Sequence, residues 1–180
     1  RPPEFDKSSF GIGIVGRLSE VKGHRYLLLA LARLQCLPDL KLYVIGDGPL
    51  REELENLTNK LDLSRKVMFL GFKKNIHDYI RAFDMIAMPS LHEGLPYVLL
   101  ESMVLGTPVI ASEVGGPGEI LEDMVDALLV KPGDKDALAG AIRYLYERKD
   151  ESQRLAENAS RKASHDFSLS AMAEKYIELY

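Results

Sequence analysis

A chain of 180 residues has the length of one domain and can bury a substantial core. Its 46% hydrophobic and 28% charged residues are ordinary for a soluble globular protein, and a formal net charge of -4 argues against a general nucleic-acid binder, which carries a basic excess. The single Cys36 excludes an internal disulfide and fits a reducing, cytoplasmic setting, while no apolar run approaches the roughly 20 residues that span a bilayer.

Residues 1–9 carry two prolines and no periodicity, and read as a linker at a cut end. From there the chain alternates. Short, continuously apolar runs at 10–15, 41–45, 67–70, 85–88, 109–111 and 127–130 predict strands. Helical patterns fall between most of them, at 26–34, 50–61, 76–83 and 97–105, with a short turn of helix over 118–122. Helices over 135–148 and 151–164 follow, and a last helix over 168–180, capped by Ser168. The domain proper is expected to span 10–164, with residues 165–180 as a separate C-terminal segment that holds the last helix. Such alternation predicts an α/β fold: a Rossmann-like parallel sheet of about six strands with helices on both faces. Ligands on such sheets bind at the carboxyl ends of the strands. The loop Arg17–Lys22, the turn Gly46–Pro49, Gly71 and Glu93 all fall there.

The richest stretch is His92-Glu93-Gly94-Leu95-Pro96-Tyr97-Val98-Leu99-Leu100-Glu101. Pro96 occupies the expected first position of an apolar helix, so Glu93 precedes the helix and Glu101 lies more than one turn inside it. At 1.5 Å per residue the two carboxylates are separated by roughly 10 Å. Between them lies the positive end of the helix with its free N–H groups, a site suited to phosphate. A nucleotide diphosphate-sugar has this layout, with hydroxyl-rich rings on both sides of a pyrophosphate. Arg17 and Lys22 are the candidate cations for the diphosphate, stabilising the charge that grows on a leaving nucleoside diphosphate. Glu101 is the candidate acceptor for two ribose hydroxyls. Gly94 allows close approach of the backbone, the Leu95 N–H is free to meet phosphate, and Pro96 contributes shape alone.

Two tempting signals are set aside. Gly11-Ile12-Gly13-Ile14-Val15-Gly16 spells G-x-G-x-x-G, but its glycines interleave the first strand instead of following one, so no nicotinamide or flavin cofactor is expected. Asp134-Lys135-Asp136 spells D-x-D, but it follows Pro132-Gly133 and opens a helix, which makes Asp134 an N-cap. The four histidines show no metal-ligand spacing, and His92 is read as a neighbour of the site.

The glutamate stretch resembles the E-x7-E motif of the retaining GT-B glycosyltransferases of group 1 (family 4). Gly16-Arg17-Leu18-Ser19-Glu20-Val21-Lys22-Gly23 resembles that family's G-R-x-x-x-x-K-G loop, and Gly46-Asp47-Gly48-Pro49 its G-x-G-P turn. Val67-Met68-Phe69-Leu70-Gly71, the run from Asp84 to Ser90, Gly106-Thr107-Pro108-Val109-Ile110-Ala111 and Val114-Gly115-Gly116-Pro117-Gly118-Glu119 complete the set in order. The resemblance implies the donor-binding C-terminal half of a two-domain enzyme that moves a sugar from a UDP-, GDP- or ADP-sugar to an acceptor hydroxyl, without metal or other cofactor. It implies that Glu93 lies near the transferred sugar, that Gly115 and Gly116 lie beside it, and that Gly71 and Phe72 flank the base; Gly16 opens the phosphate loop, and Glu119 is a weaker candidate. A sugar, lipid or small-molecule acceptor and any membrane contact would belong to the other domain, and this chain alone would bind donor without full activity. The helix over 168–180 would cross to that domain through Met172, Tyr176 and Leu179, or else pack on its own. A nucleotide-binding module without chemistry, and an epimerase or phosphorylase on the same architecture, are the alternatives.

Overall fold

Strand β1 (Phe10–Val15) lies at the centre of a sheet whose six strands are all parallel. The others are β2 (Leu40–Ile45), β3 (Val67–Gly71), β4 (Met85–Met88), β5 (Val109–Ser112) and β6 (Leu128–Val130), in the spatial order β3-β2-β1-β4-β5-β6. The computed structural model describes residues 2–6 and 8–167. Register runs from Phe10 opposite Leu40 to Val15 opposite Ile45, and from Ile12 opposite Met85 on the other side.

The period-2 alternation of a strand sends neighbouring side chains to opposite faces. Ile12, Ile14, Leu42 and Val44 meet α1 (His24–Ala32), α2 (Arg51–Lys60) and α6 (Lys135–Glu147). Ile86, Met88, Val109 and Ala111 meet α4 (Tyr97–Val104) and α7 (Lys149–Asp166). The second face continues toward β2, where Tyr43 and Ile45 pack with Tyr79 and Phe83 around α3 (Ile76–Ile80). A short α5 (Gly115–Ile120) follows β5. Asp134 caps α6, accepting from the N–H groups of Asp136 and Ala137, as its place after Pro132-Gly133 led one to expect.

Several boundaries differ from expectation. Helix α1 starts two residues early, at His24, directly after Gly23 in the left-handed region. Helix α3 stops at Ile80 instead of residue 83, because the chain turns there to lay the Phe83 ring on β1: a side chain at Gly13 would sit 2.1 Å from that ring. The interleaved glycines of β1 thus make room for an aromatic ring. Pro96 is the N-cap, in extended conformation (φ -76°, ψ 121°), and the helix begins at Tyr97. Helix α5 begins at Gly115 and not at 118, with Pro117 in its first turn, where a missing N–H costs nothing. The segment before β1 carries an anchor that its prolines hide. Phe5 is buried, its ring stacked on Tyr43 at 4.0 Å between centroids, and Glu4 accepts from Lys73 Nζ at 2.6 Å and Tyr79 Oη at 3.0 Å. The helix expected over 168–180 lies outside the described residues. Among the described residues no helix is long and apolar enough to cross a membrane.

Candidate functional site

In the order β3-β2-β1-β4-β5-β6 the chain's winding reverses between β1 and β4, and the loops at their carboxyl ends part to leave a crevice, the place where open α/β sheets receive ligands. The loop after β1 and the loop after β4 are joined through backbone. The Leu91 N–H donates to the Val21 carbonyl at 2.7 Å. Gly23 has φ 68°, and a Cβ there would lie 1.9 Å from the Pro89 carbonyl oxygen. On the far side the same β4 loop is held by the start of α5. Gly115 has φ 42°, and its Cβ would lie 1.8 Å from the Glu93 carbonyl oxygen; the corresponding distance from Gly116 to the Gly94 oxygen is 2.0 Å. From behind, the Gly46–Pro49 turn holds the β1 loop: the Leu18 N–H donates to the Asp47 carbonyl at 3.0 Å, and the Leu18 carbonyl accepts from Leu50 at 3.1 Å. Leu18 itself is wholly buried.

This scaffold brings together Lys22 and Glu93, which are far apart in sequence. Lys22 Nζ donates to Glu93 Oε2 at 2.6 Å, and Ser90 Oγ donates to the same oxygen at 3.0 Å. The Glu93 side chain is 12% exposed, so the pair stands in a partly dehydrated setting where charge attracts more strongly than in water. Arg17 is exposed beside it, and its guanidinium makes no hydrogen bond or ion pair to another described residue. A cleft of about 360 Å³ opens here, lined by Gly16, Arg17, Lys22, Ser90, Glu93, Leu95 and Pro96 among others. The Leu95 N–H makes no hydrogen bond within the described chain, and a Cβ on Gly94 would meet open space. No side chain caps α4, so the positive end of the helix is uncovered toward the cleft.

Glu101 lies further along, on α4, half-buried, with Oε1 3.2 Å from His77 Nε2 of α3. Gly71 and Phe72 stand apart from the cleft at the end of β3, where Phe72 is 78% exposed. Gly115 and Gly116 do not line the cleft; they buttress the Glu93 loop. Ser90 closes a run matched in the sequence but was given no role there, and His77 was not singled out at all. The place of Ser90 at the end of that run, three positions before Glu93, was the signal for its role, whereas His77 had none, being on another helix. A larger hollow of about 990 Å³ opens at the opposite ends of the strands, around Phe10, Asp39 and Asp84. Size alone does not make a ligand site; convergent polar groups do, and Asp39 there is already taken by the Tyr146 hydroxyl at 2.6 Å. Next to Lys22, His24 is buried with no partner for either ring nitrogen among the described residues. Burial, reinforced by the Lys22 charge, pushes its pKa down to about 4, so it is neutral at physiological pH.

Sheet order, covered faces and a crevice lined by two cations and a carboxylate at the switch point define a doubly wound, Rossmann-like α/β domain of the kind found in GT-B proteins. The chain belongs to the group 1 glycosyl transferases: the profile of the family described as "Glycosyl transferases group 1" matches residues 1–162. Among its relatives, the lipopolysaccharide core biosynthesis glycosyltransferase LpsE of Rhizobium meliloti (strain 1021) is 34% identical over 165 residues, 92% of this chain and 48% of LpsE. Anabaena Alr3699/HepE, solved in complex with UDP, superposes with a TM-score of 0.90 at 32% identity, over 96% of this chain and 48% of that one; the same protein has been solved with UDP-glucose. The C-terminal domain of the group 1 family protein LpcC from Francisella tularensis superposes with a TM-score of 0.83 at 27% identity, over 89% of this chain and 87% of that domain. The chain therefore spans about half the length of the curated relatives it matches.

Proposed function

We propose that this chain holds the nucleotide-sugar donor, a UDP-sugar, of a retaining glycosyltransferase that passes the sugar to an acceptor hydroxyl. The observation that carries this reading is the meeting of Lys22 and Glu93 across the switch-point crevice, directly before the uncapped start of α4. UDP and UDP-glucose in the similar HepE favour uracil as the base. In this reading Arg17, Lys22, the Leu95 N–H and the α4 dipole receive the diphosphate, and as the glycosidic bond breaks they meet the charge that grows on the departing UDP. Glu93 faces the sugar at the anomeric side. Its carboxylate stabilises positive charge developing there, and Ser90 and Lys22 hold it in place. Glu101 accepts from the ribose hydroxyls, Gly71 and Phe72 flank the base, and Gly16 opens the phosphate loop. No metal takes part, because fixed cations and a helix end serve the diphosphate. Transfer itself belongs to the whole protein, in which a second domain supplies the acceptor.

Calorimetric titration with UDP, GDP, ADP and UDP-glucose, each with and without EDTA, tests the reading. Saturable binding of UDP and UDP-glucose, unchanged by EDTA, is expected. Arg17→Ala and Glu101→Ala should each weaken UDP binding by roughly 1–3 kcal/mol, the scale of a charged hydrogen bond. Glu93→Ala should weaken UDP-glucose more than UDP. Folded variants with unchanged affinities would overturn the site, and a requirement for metal would overturn the role given to the cations.

A further inference from the structure

Each of the two glutamates is engaged by a nitrogen from a neighbouring element: Glu93 by Lys22 after β1, and Glu101 by His77 on α3. The first pair sits in the cleft. The second lies outside it and joins two helices that come into contact, and its histidine belongs to no motif of the sequence. His77 reaches Oε1 of Glu101 at 3.2 Å, and among the described residues no other side chain is hydrogen-bonded to or ion-paired with that carboxylate. A carboxylate has two oxygens with about four lone-pair directions. One contact on Oε1 therefore fixes the rotation of the group while leaving Oε2 free.

We infer that His77 is a positioning residue: by holding Oε1 of Glu101 it presents the carboxylate to the vicinal hydroxyls of a nucleoside ribose. The inference rests on the reading of Glu101 as the ribose acceptor and adds the residue that sets its geometry. A glutamate on a helix surface samples several rotamers, and ordering them on binding lowers affinity. An imidazole already in contact removes most of that freedom in the unliganded protein. Its side chain is 63% exposed, so it adds little to the core. Its position ahead of Tyr79 and Ile80, which are buried, fixes the backbone from which it reaches. The effect is specific: it acts on recognition of the ribose hydroxyls and leaves the diphosphate contacts unchanged.

The readout is the ratio of affinities for UDP and 2′-deoxy-UDP, measured by calorimetry on the full chain. A wild-type preference for UDP of about tenfold is expected, equivalent to roughly 1.4 kcal/mol. Glu101→Ala should abolish the preference. His77→Ala should reduce it several-fold, while His77→Gln, whose amide can donate to the same oxygen, should retain most of it. The double variant should be no worse than Glu101→Ala alone. A general loss of structure would weaken both nucleotides equally and leave the ratio unchanged. If Glu101→Ala abolishes the preference and His77→Ala leaves it at the wild-type value, the role of His77 is overturned and the ribose reading stands. A preference that survives Glu101→Ala, or no saturable UDP binding by the wild type, overturns both.

Discussion

Replacing Gly115 with alanine tests whether the Glu93 loop is held in place by close backbone contact. The residue sits at φ 42°, where an L-residue costs about 1–2 kcal/mol. The added Cβ would lie 1.8 Å from the Glu93 carbonyl oxygen, and that contact has to open to at least 3.0 Å, carrying the loop with it. Strain of this kind is worth about 1–3 kcal/mol of folding stability, measurable as a lowered urea midpoint. The functional loss should be larger than the stability loss suggests. Displacing a reacting or binding group by about 1 Å is enough to cost about a hundredfold where geometry sets the rate. On the proposed function, UDP-glucose affinity should fall further than affinity for UDP. Gly118→Ala is the control. It lies in the same helix, and its Cβ would meet nothing nearer than 3.6 Å, so it should be neutral or stabilising by about 0.5–1 kcal/mol. A Gly115→Ala protein with wild-type stability and UDP-glucose affinity, or equal damage from Gly118→Ala, would refute the argument.

The buried His24 predicts an acid-sensitive fold. Its pKa is about 4 in the folded state against an ordinary 6.5, so the unfolded chain binds the extra proton. Its contribution is fully present above pH 6.5 and is lost as pH falls toward 4, by about 3 kcal/mol at most; urea unfolding at pH 7.5 and 4.5 should show a smaller acid loss in His24→Leu than in wild type, and parallel losses would count against it. Phe5→Ala removes a buried ring stacked on Tyr43. We expect about 3 kcal/mol, the lower end of the range for a buried ring, or a melting point lower by roughly 6–12 °C; a calorimetric shift under about 2 °C would mean that the segment does not anchor the sheet.

Periodicity made the sheet legible, because strands covered on both faces must be apolar throughout and these runs are. The rule that ligands gather at strand carboxyl ends brought Gly16, Arg17, Lys22, Glu93, Leu95 and Pro96 to one cleft. What escaped were the contacts that no spacing encodes. The hydrogen bond between Leu91 and Val21 and the approach of Gly115 to Glu93 depend on how distant loops lean together. His77 meets Glu101 only because α3 and α4 lie side by side. Phe5 was hidden by composition: a lone aromatic after two prolines reads as a linker until Tyr43 is seen beneath it. The early start of α5 escaped for a different reason, since glycines and a proline in sequence look like a loop, yet all are tolerated in a first helical turn.

The joints around the cleft run from main chain to main chain, and this separates the geometry of the crevice from the identity of the residues that face out of it. Val21 and Leu95 are 46% and 52% exposed, and both sit on segments whose course is set by neighbouring carbonyls and glycines. Their side chains can be exchanged without disturbing the carboxylate or the ammonium group behind them. Such a crevice is readily adapted: the residues of its outer rim can change while its inner geometry is kept.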